Sequence, residues 1–107
     1  MTPHLDPRQT ENLEALADAL LSLRDREECL AFLRDLCTMQ ELISLSQRLQ
    51  VARLLLAGET YEAIRQQVPV SSSTITRIST ALQFGPGGYR SVLERPGRAD
   101  SGEREVR

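Results

Sequence analysis

A chain of 107 residues holds one domain at most, and its 40% hydrophobic and 4% aromatic content suits a water-soluble protein whose apolar mass is mostly leucine, which favours helix over sheet. No stretch approaches the ~20 apolar residues that a membrane-spanning helix needs, and the polar opening MTPHLDPRQTEN is unlike a secretory signal, so a cytoplasmic location and no membrane partner are expected. One histidine, two cysteines and no C-x-x-C supply neither a metal-ligand set nor a nucleophile with its base, so no metal and no enzyme active site are expected.

Residues 1–9 contain two prolines without periodicity and are read as a flexible arm. From Thr10 the apolar positions Leu13, Leu16, Ala17, Leu20 and Leu21 recur at helical spacing and form one stripe of an amphipathic helix. A second helix is predicted from Asp25, where Asp-Arg-Glu-Glu offers an N-cap with an acid three places on. Leu30, Leu33 and Leu36, with Phe32, give it an apolar side. Cys29 and Cys37 fall among these leucines and read as small core residues.

A third helix opens on the capping box Thr38-Met-Gln-Glu41 and runs to Ala57, where Gly58 stops it. Its apolar residues spread round the axis. At about 100° per residue from Leu42, Ile43 falls near ~100°, Val51 near ~180°, Leu55 near ~220°, and Leu45, Leu49 and Leu56 between ~300° and ~340°. A helix apolar nearly all round must be covered nearly all round, and a second copy of the chain supplies that cover economically. An intertwined homodimer is the expectation, with a tightly wrapped monomeric core as its alternative.

Next come two short helical segments around a break. Thr60 suits an N-cap for the first, and Ser71 for the second, after the interruption that Pro69 enforces. Two short helices joined by a turn of three to four residues form a helix-turn-helix, here over residues 60–83. Ile64, Val68, Ile75, Ile78 and Leu82 would face inward, and Val70 would pin the angle between the helices. After Leu82, Gln-Phe-Gly-Pro-Gly-Gly-Tyr turns the chain into a last helix, Tyr89 to Arg95, which Pro96 ends. The domain is thus expected over 10–95, with residues 96–107 a disordered tail.

With the apolar residues of the second segment committed to the core, Ser72, Ser73, Thr76, Arg77 and Thr80 are left on its other side. Hydroxyls of small residues let a helix lie close to a groove floor and bond phosphates, base edges or bridging waters, and one arginine can hold a phosphate or a guanine. Local charge agrees. Residues 1–41 carry four Arg and nine acids, residues 42–95 carry six Arg and three Glu, and the 31 residues between Glu62 and Glu94 hold no acid at all. A surface approaching a line of phosphates must at least not repel it. Double-stranded DNA is the expected partner, through Arg65, Ser72, Ser73, Thr76, Arg77 and Thr80. Arg65 would clamp a phosphate or stay a solvated charge; Arg90 would steady the same backbone or cap a neighbouring carbonyl.

The order of motifs resembles the Trp repressor superfamily, and within it the small YerC/YecD-type members. The stretches that carry the resemblance are Asp35-Leu-Cys-Thr38, Gln47-Arg48, Val51-Ala-Arg-Leu-Leu-Leu-Ala-Gly58, Thr60-Tyr61, Thr74-Ile-Thr-Arg77 and Phe84-Gly-Pro-Gly-Gly-Tyr-Arg90. The resemblance implies an all-α, six-helix fold with a helix-turn-helix and interlocked N-terminal helices, and a palindromic operator bound by two recognition helices roughly 34 Å apart. By motif position the arginines that hold indole in the Trp repressor resemble Arg48 and Arg77, with Thr38 at the amino-acid end. A small-molecule corepressor pocket on Thr38, Arg48 and Arg77 is therefore one reading. The others are an ion pair of Arg48 across the dimer and an Arg77 that touches only DNA. Two departures stand out. The guanine-contacting arginine of the Trp repressor falls near Glu62, so that contact is lost, and Pro69 replaces a family glycine, so the turn must be built differently.

The function expected is a sequence-specific, dimeric DNA-binding regulator, a repressor that occupies promoter DNA. The competing reading is a helix-turn-helix used for protein–protein docking, with the acidic N-terminal part meeting a basic partner.

Overall fold

The computed structural model describes residues 4–96 as six helices, with no strand among the described residues. These are α1 (Pro7–Leu21), α2 (Arg26–Leu36), α3 (Met39–Leu56), α4 (Tyr61–Gln67), α5 (Ser72–Phe84) and α6 (Gly88–Leu93). Residues 1–3 of the expected arm and residues 97–107 of the expected tail lie outside the described residues. The chain divides within α3 into two units, Met1–Ile43 and Ser44–Arg107.

In the first unit, α1 begins at Pro7, ahead of the expected start at Thr10 and inside the expected arm. Asp6 accepts from the Gln9 N–H at 2.8 Å, and the Gln9 side chain accepts from the Asp6 N–H at 3.0 Å. This reciprocal box satisfies two orphan donors, and Pro7 at the first helical position loses nothing by lacking an N–H. Asp25 caps α2 through the Glu28 N–H at 2.8 Å, while the Glu28 carboxylate reaches one residue further back, to the Arg24 N–H at 2.9 Å. Neither α1 nor α2 buries a residue, and Leu13 and Leu21 on α1 remain 55% and 83% exposed. Cys29 and Cys37 are free thiols, half-buried rather than in a core. Thr38 and Glu41 form both arms of the expected capping box at the start of α3, at 2.8 and 3.1 Å.

The core belongs to the second unit. Val51 and Ala52 of α3, Ile64 of α4, Val68 and, from α5, Ile75 and Ile78 are buried together, with Leu54, Leu55, Val70, Leu82, Tyr89 and Leu93 packed against them. Each buried Val or Ile contributes about 1.5–3 kcal/mol relative to exposure. α3 ends at Gly58, whose φ of 89° suits glycine; the Gly58 N–H meets the Leu55 carbonyl at 3.0 Å and the Glu59 N–H meets that of Leu54 at 3.1 Å. These two bonds close the helix end and aim the chain into α4. The other apolar rows of α3 stay open: Ile43, Leu45 and Leu49 are each more than a third exposed.

The turn around Pro69 contains no left-handed residue. Val68 is extended, at φ −131° and ψ 128°, and the Val70 N–H returns to the Val68 carbonyl at 2.8 Å. A three-residue turn needs no positive φ, so proline is accommodated where a left-handed turn would exclude it. The last helix ends at Leu93, two residues short of the expected Arg95, where the Glu94 N–H bonds the Arg90 carbonyl at 2.9 Å.

Candidate nucleic-acid interface

Local sequence sets each helix of the pair. Thr60 caps α4 through the Ala63 N–H at 3.1 Å, and Ser71 caps α5 through the Thr74 N–H at 3.2 Å. Ile64 from α4, Val68 just past its end, and Ile75 and Ile78 from α5 lock the helices against Val51 and Ala52. With those rows inside, every residue expected to meet DNA is exposed: Arg65, Ser72, Ser73, Thr76, Arg77 and Thr80.

The six differ in what they already hold. Arg65 Nη1 donates to Ser72 Oγ at 3.5 Å, and Thr76 Oγ1 donates to the Tyr61 hydroxyl at 3.3 Å. Ser73 shares a hydrogen bond of 3.0 Å with the capping hydroxyl of Ser71. Arg77 and Thr80 make no side-chain hydrogen bond among the described residues, so their polar groups are unspent. Tyr61 is the member of this surface that the residue pattern alone did not single out; its i,i+4 spacing to Arg65 was the available signal. Arg90 does not join the face. Its Nε donates to the Leu82 carbonyl at 3.3 Å and its Nη1 to Glu94 at 3.2 Å, which is the carbonyl-capping alternative.

Arg77 also borders a cleft of ≈ 350 Å³, together with Ser44, Gln47, Arg48, Pro69, Val70, Ser71, Thr74 and Ile78. Arg48 and Arg77 are thus brought to one cavity, and no acid lines it. Its lining is drawn entirely from the second unit. Thr38 belongs to the first unit, where it caps α3. A second hollow of ≈ 500 Å³, mostly apolar, lies between Leu49, the end of α5 and the Pro86–Tyr89 turn. Among the described residues no cluster of metal-ligating side chains occurs, and no helix is long and apolar enough to cross a membrane.

An all-helical chain that seats a hydroxyl- and arginine-bearing helix on a capped partner across a short turn is a helix-turn-helix protein. A family model described as Trp repressor protein matches residues 11–96. The uncharacterized protein YerC of Bacillus subtilis (strain 168) is 42% identical over 91 residues, which cover 85% of this chain and 88% of that protein. Two crystal structures superpose with a TM-score of 0.79 each. One, a candidate Trp repressor from Staphylococcus aureus, is 42% identical and is matched over 88% of this chain and 94% of its own. The other, a TrpR-like protein from Eubacterium eligens, is 41% identical over 84% of this chain and 93% of its own. The chain belongs to the Trp repressor family, whose members point to helix-turn-helix DNA-binding regulators rather than enzymes.

Proposed function

We propose that this protein is a sequence-specific transcriptional regulator, a homodimeric repressor that acts in the cytoplasm by occupying a palindromic operator. The observation that carries this reading is the outer face of α5. Arg77 and Thr80 stand there unspent beside Ser73 and Thr76, in a stretch of 31 residues without an acid. Phosphate contacts from Arg65 and Arg77 would set the register of the helix, and its hydroxyls would read or water-bridge the groove. The open apolar rows of α1, α2 and α3 support the dimer, because a soluble protein rarely leaves so many leucines unpartnered.

A second reading concerns regulation, and the acid-free cleft favours it. Two guanidinium groups with the hydroxyls of Ser71 and Thr74 suit the carboxylate of a small-molecule corepressor. Such a ligand would fix Arg77, which the cleft shares with the DNA-facing side of α5.

The deciding experiment is in vitro selection of duplex DNA by the purified protein, at low and at high salt. A recovered palindrome supports the dimeric operator binder. Salt-sensitive, sequence-blind binding directs the search to ligands of the Arg48–Arg77 cleft. Absence of DNA retention at every salt concentration overturns the reading in favour of protein docking.

A further inference from the structure

Glu62 and Gln66 occupy a row of α4 that no contact accounts for. At about 100° per residue, Ile64 turns to the core, Tyr61 and Arg65 turn to α5, and Glu62 and Gln66 come next, facing away from the core. The arrangement on α5 mirrors it. Ile75 and Ile78 are buried, Ser72 and Thr76 meet Arg65 and Tyr61, and Ser73, Arg77 and Thr80 come next. The outer rows of the two helices therefore flank the hydrogen-bonded seam between them, one on each side.

Glu62 is exposed, and its side chain makes no ion pair or hydrogen bond among the described residues. Its position in the first turn of α4 suits the helix dipole, which explains why an acid is tolerated there but not what it touches. Against a duplex the options narrow. A carboxylate is repelled by phosphate and can only accept hydrogen bonds, so its productive partner is an amino group on a base edge. In the major groove cytosine presents its amino donor with no acceptor of its own alongside, whereas adenine sets N7 beside its amino group, against the second carboxylate oxygen.

We propose that Glu62 is a specificity-determining residue of the DNA surface, accepting a hydrogen bond from the cytosine amino group in the major groove. The inference rests on the regulator reading above and adds to it the base that α4 selects. Removing the carboxylate should relax the choice at one base pair in each half-site while raising affinity for unrelated DNA, since a repelled charge has gone.

The test is the same duplex selection run in parallel on the wild-type protein, Glu62→Ala and Glu62→Gln, followed by titration on single-base variants of the recovered site. The expected wild-type motif contains one cytosine position per half-site that Glu62→Ala reads about tenfold less selectively, with the other positions unchanged. Glu62→Gln should shift that position toward adenine, which an amide pairs with. Identical motifs from all three proteins, with affinity changed equally on every sequence, overturn the proposal and leave Glu62 a merely repulsive charge. Sequence-blind binding by all three proteins overturns this inference alone, whereas absence of DNA retention by the wild-type protein at every salt concentration overturns the regulator reading itself, and this inference with it.

Discussion

Tyr61 and Thr76, one on each helix of the pair, meet through their hydroxyls at 3.3 Å, with Thr76 the donor. The threonine is therefore partly occupied before any DNA arrives, and the bond fixes α5 against α4 on the exposed side as Ile64 and Ile75 do on the buried side. Tyr61→Phe keeps the ring and removes the acceptor. Chemical denaturation should show a loss of about 0.5–1 kcal/mol, the worth of a partly solvated hydrogen bond. DNA affinity should not fall, because the freed Thr76 hydroxyl gains a partner in phosphate or water. A weakened complex would mean that Tyr61 itself contacts DNA.

The two arginines should behave differently. Arg77 has no protein partner among the described residues, so Arg77→Ala should cost about 1–3 kcal/mol of operator affinity and relax discrimination if the guanidinium reads a base. Arg65 is tied to Ser72 at 3.5 Å and points along the seam. Arg65→Ala should weaken binding by a similar factor on all sequences, and the slope of log affinity against log salt should shrink by about one. Equal losses on specific and unrelated DNA for both variants would reduce Arg77 to a phosphate contact.

Features written within four residues were legible in the sequence. Thr60, Ser71, Asp25 and the Thr38–Glu41 pair cap the helices expected of them, and Gly58 stops α3, because each device closes a hydrogen bond inside one turn. The start of α1 is equally local: a proline in an unperiodic stretch reads as loose chain, but Pro7, after Asp6 and before Gln9, is a first-turn proline. Contacts between helices were another matter. Nothing in the spacing of Tyr61 or Arg65 says which α5 residue each will face, since that depends on how Ile64 and Val68 seat against Ile75. The meeting of Arg48 and Arg77 at one cleft likewise came from family resemblance, not from periodicity.

Thr38 separates a structural role from a ligand role. Its hydroxyl accepts from the Glu41 N–H at 3.1 Å while the Glu41 side chain accepts from the Thr38 N–H at 2.8 Å. Thr38→Ala should lower stability by about 1 kcal/mol, as loss of an N-cap does, and Thr38→Ser should restore it. A Thr38 that acted only on a ligand would leave the thermal midpoint of the free protein unchanged.

Gly85 is required by space rather than by φ. A Cβ built there would stand 2.6 Å from the Ala81 carbonyl oxygen, which already accepts the Gly85 N–H at 2.9 Å. That oxygen is backbone and cannot swing aside, so Gly85→Ala must distort the end of α5. Stability should drop by about 1–3 kcal/mol, the usual cost of overpacking. Since Tyr89 and Leu93 of α6 pack on the core just beyond, near-ultraviolet circular dichroism from Tyr89 should change as well. A neutral substitution would show that the turn after Phe84 can be rebuilt without strain.

Leu49 tests the proposed dimer. It is 37% exposed, belongs to none of the six buried positions, and borders the apolar hollow with Leu82, Tyr89 and Val92. In a lone chain Leu49→Asp would place a charge in contact with water and cost little. Under a second copy the same carboxylate would be buried without a partner, a cost of several kcal/mol that association cannot absorb. Sedimentation should therefore find the wild-type protein dimeric and Leu49→Asp monomeric, with the helicity of the Ser44–Arg107 unit largely kept, since Val51, Ala52, Ile64, Val68, Ile75 and Ile78 are untouched. DNA affinity should fall steeply in the variant, because two linked half-sites would become one. A dimeric Leu49→Asp would move the interface elsewhere on the open leucine rows, and a monomeric wild type would sink the dimer altogether.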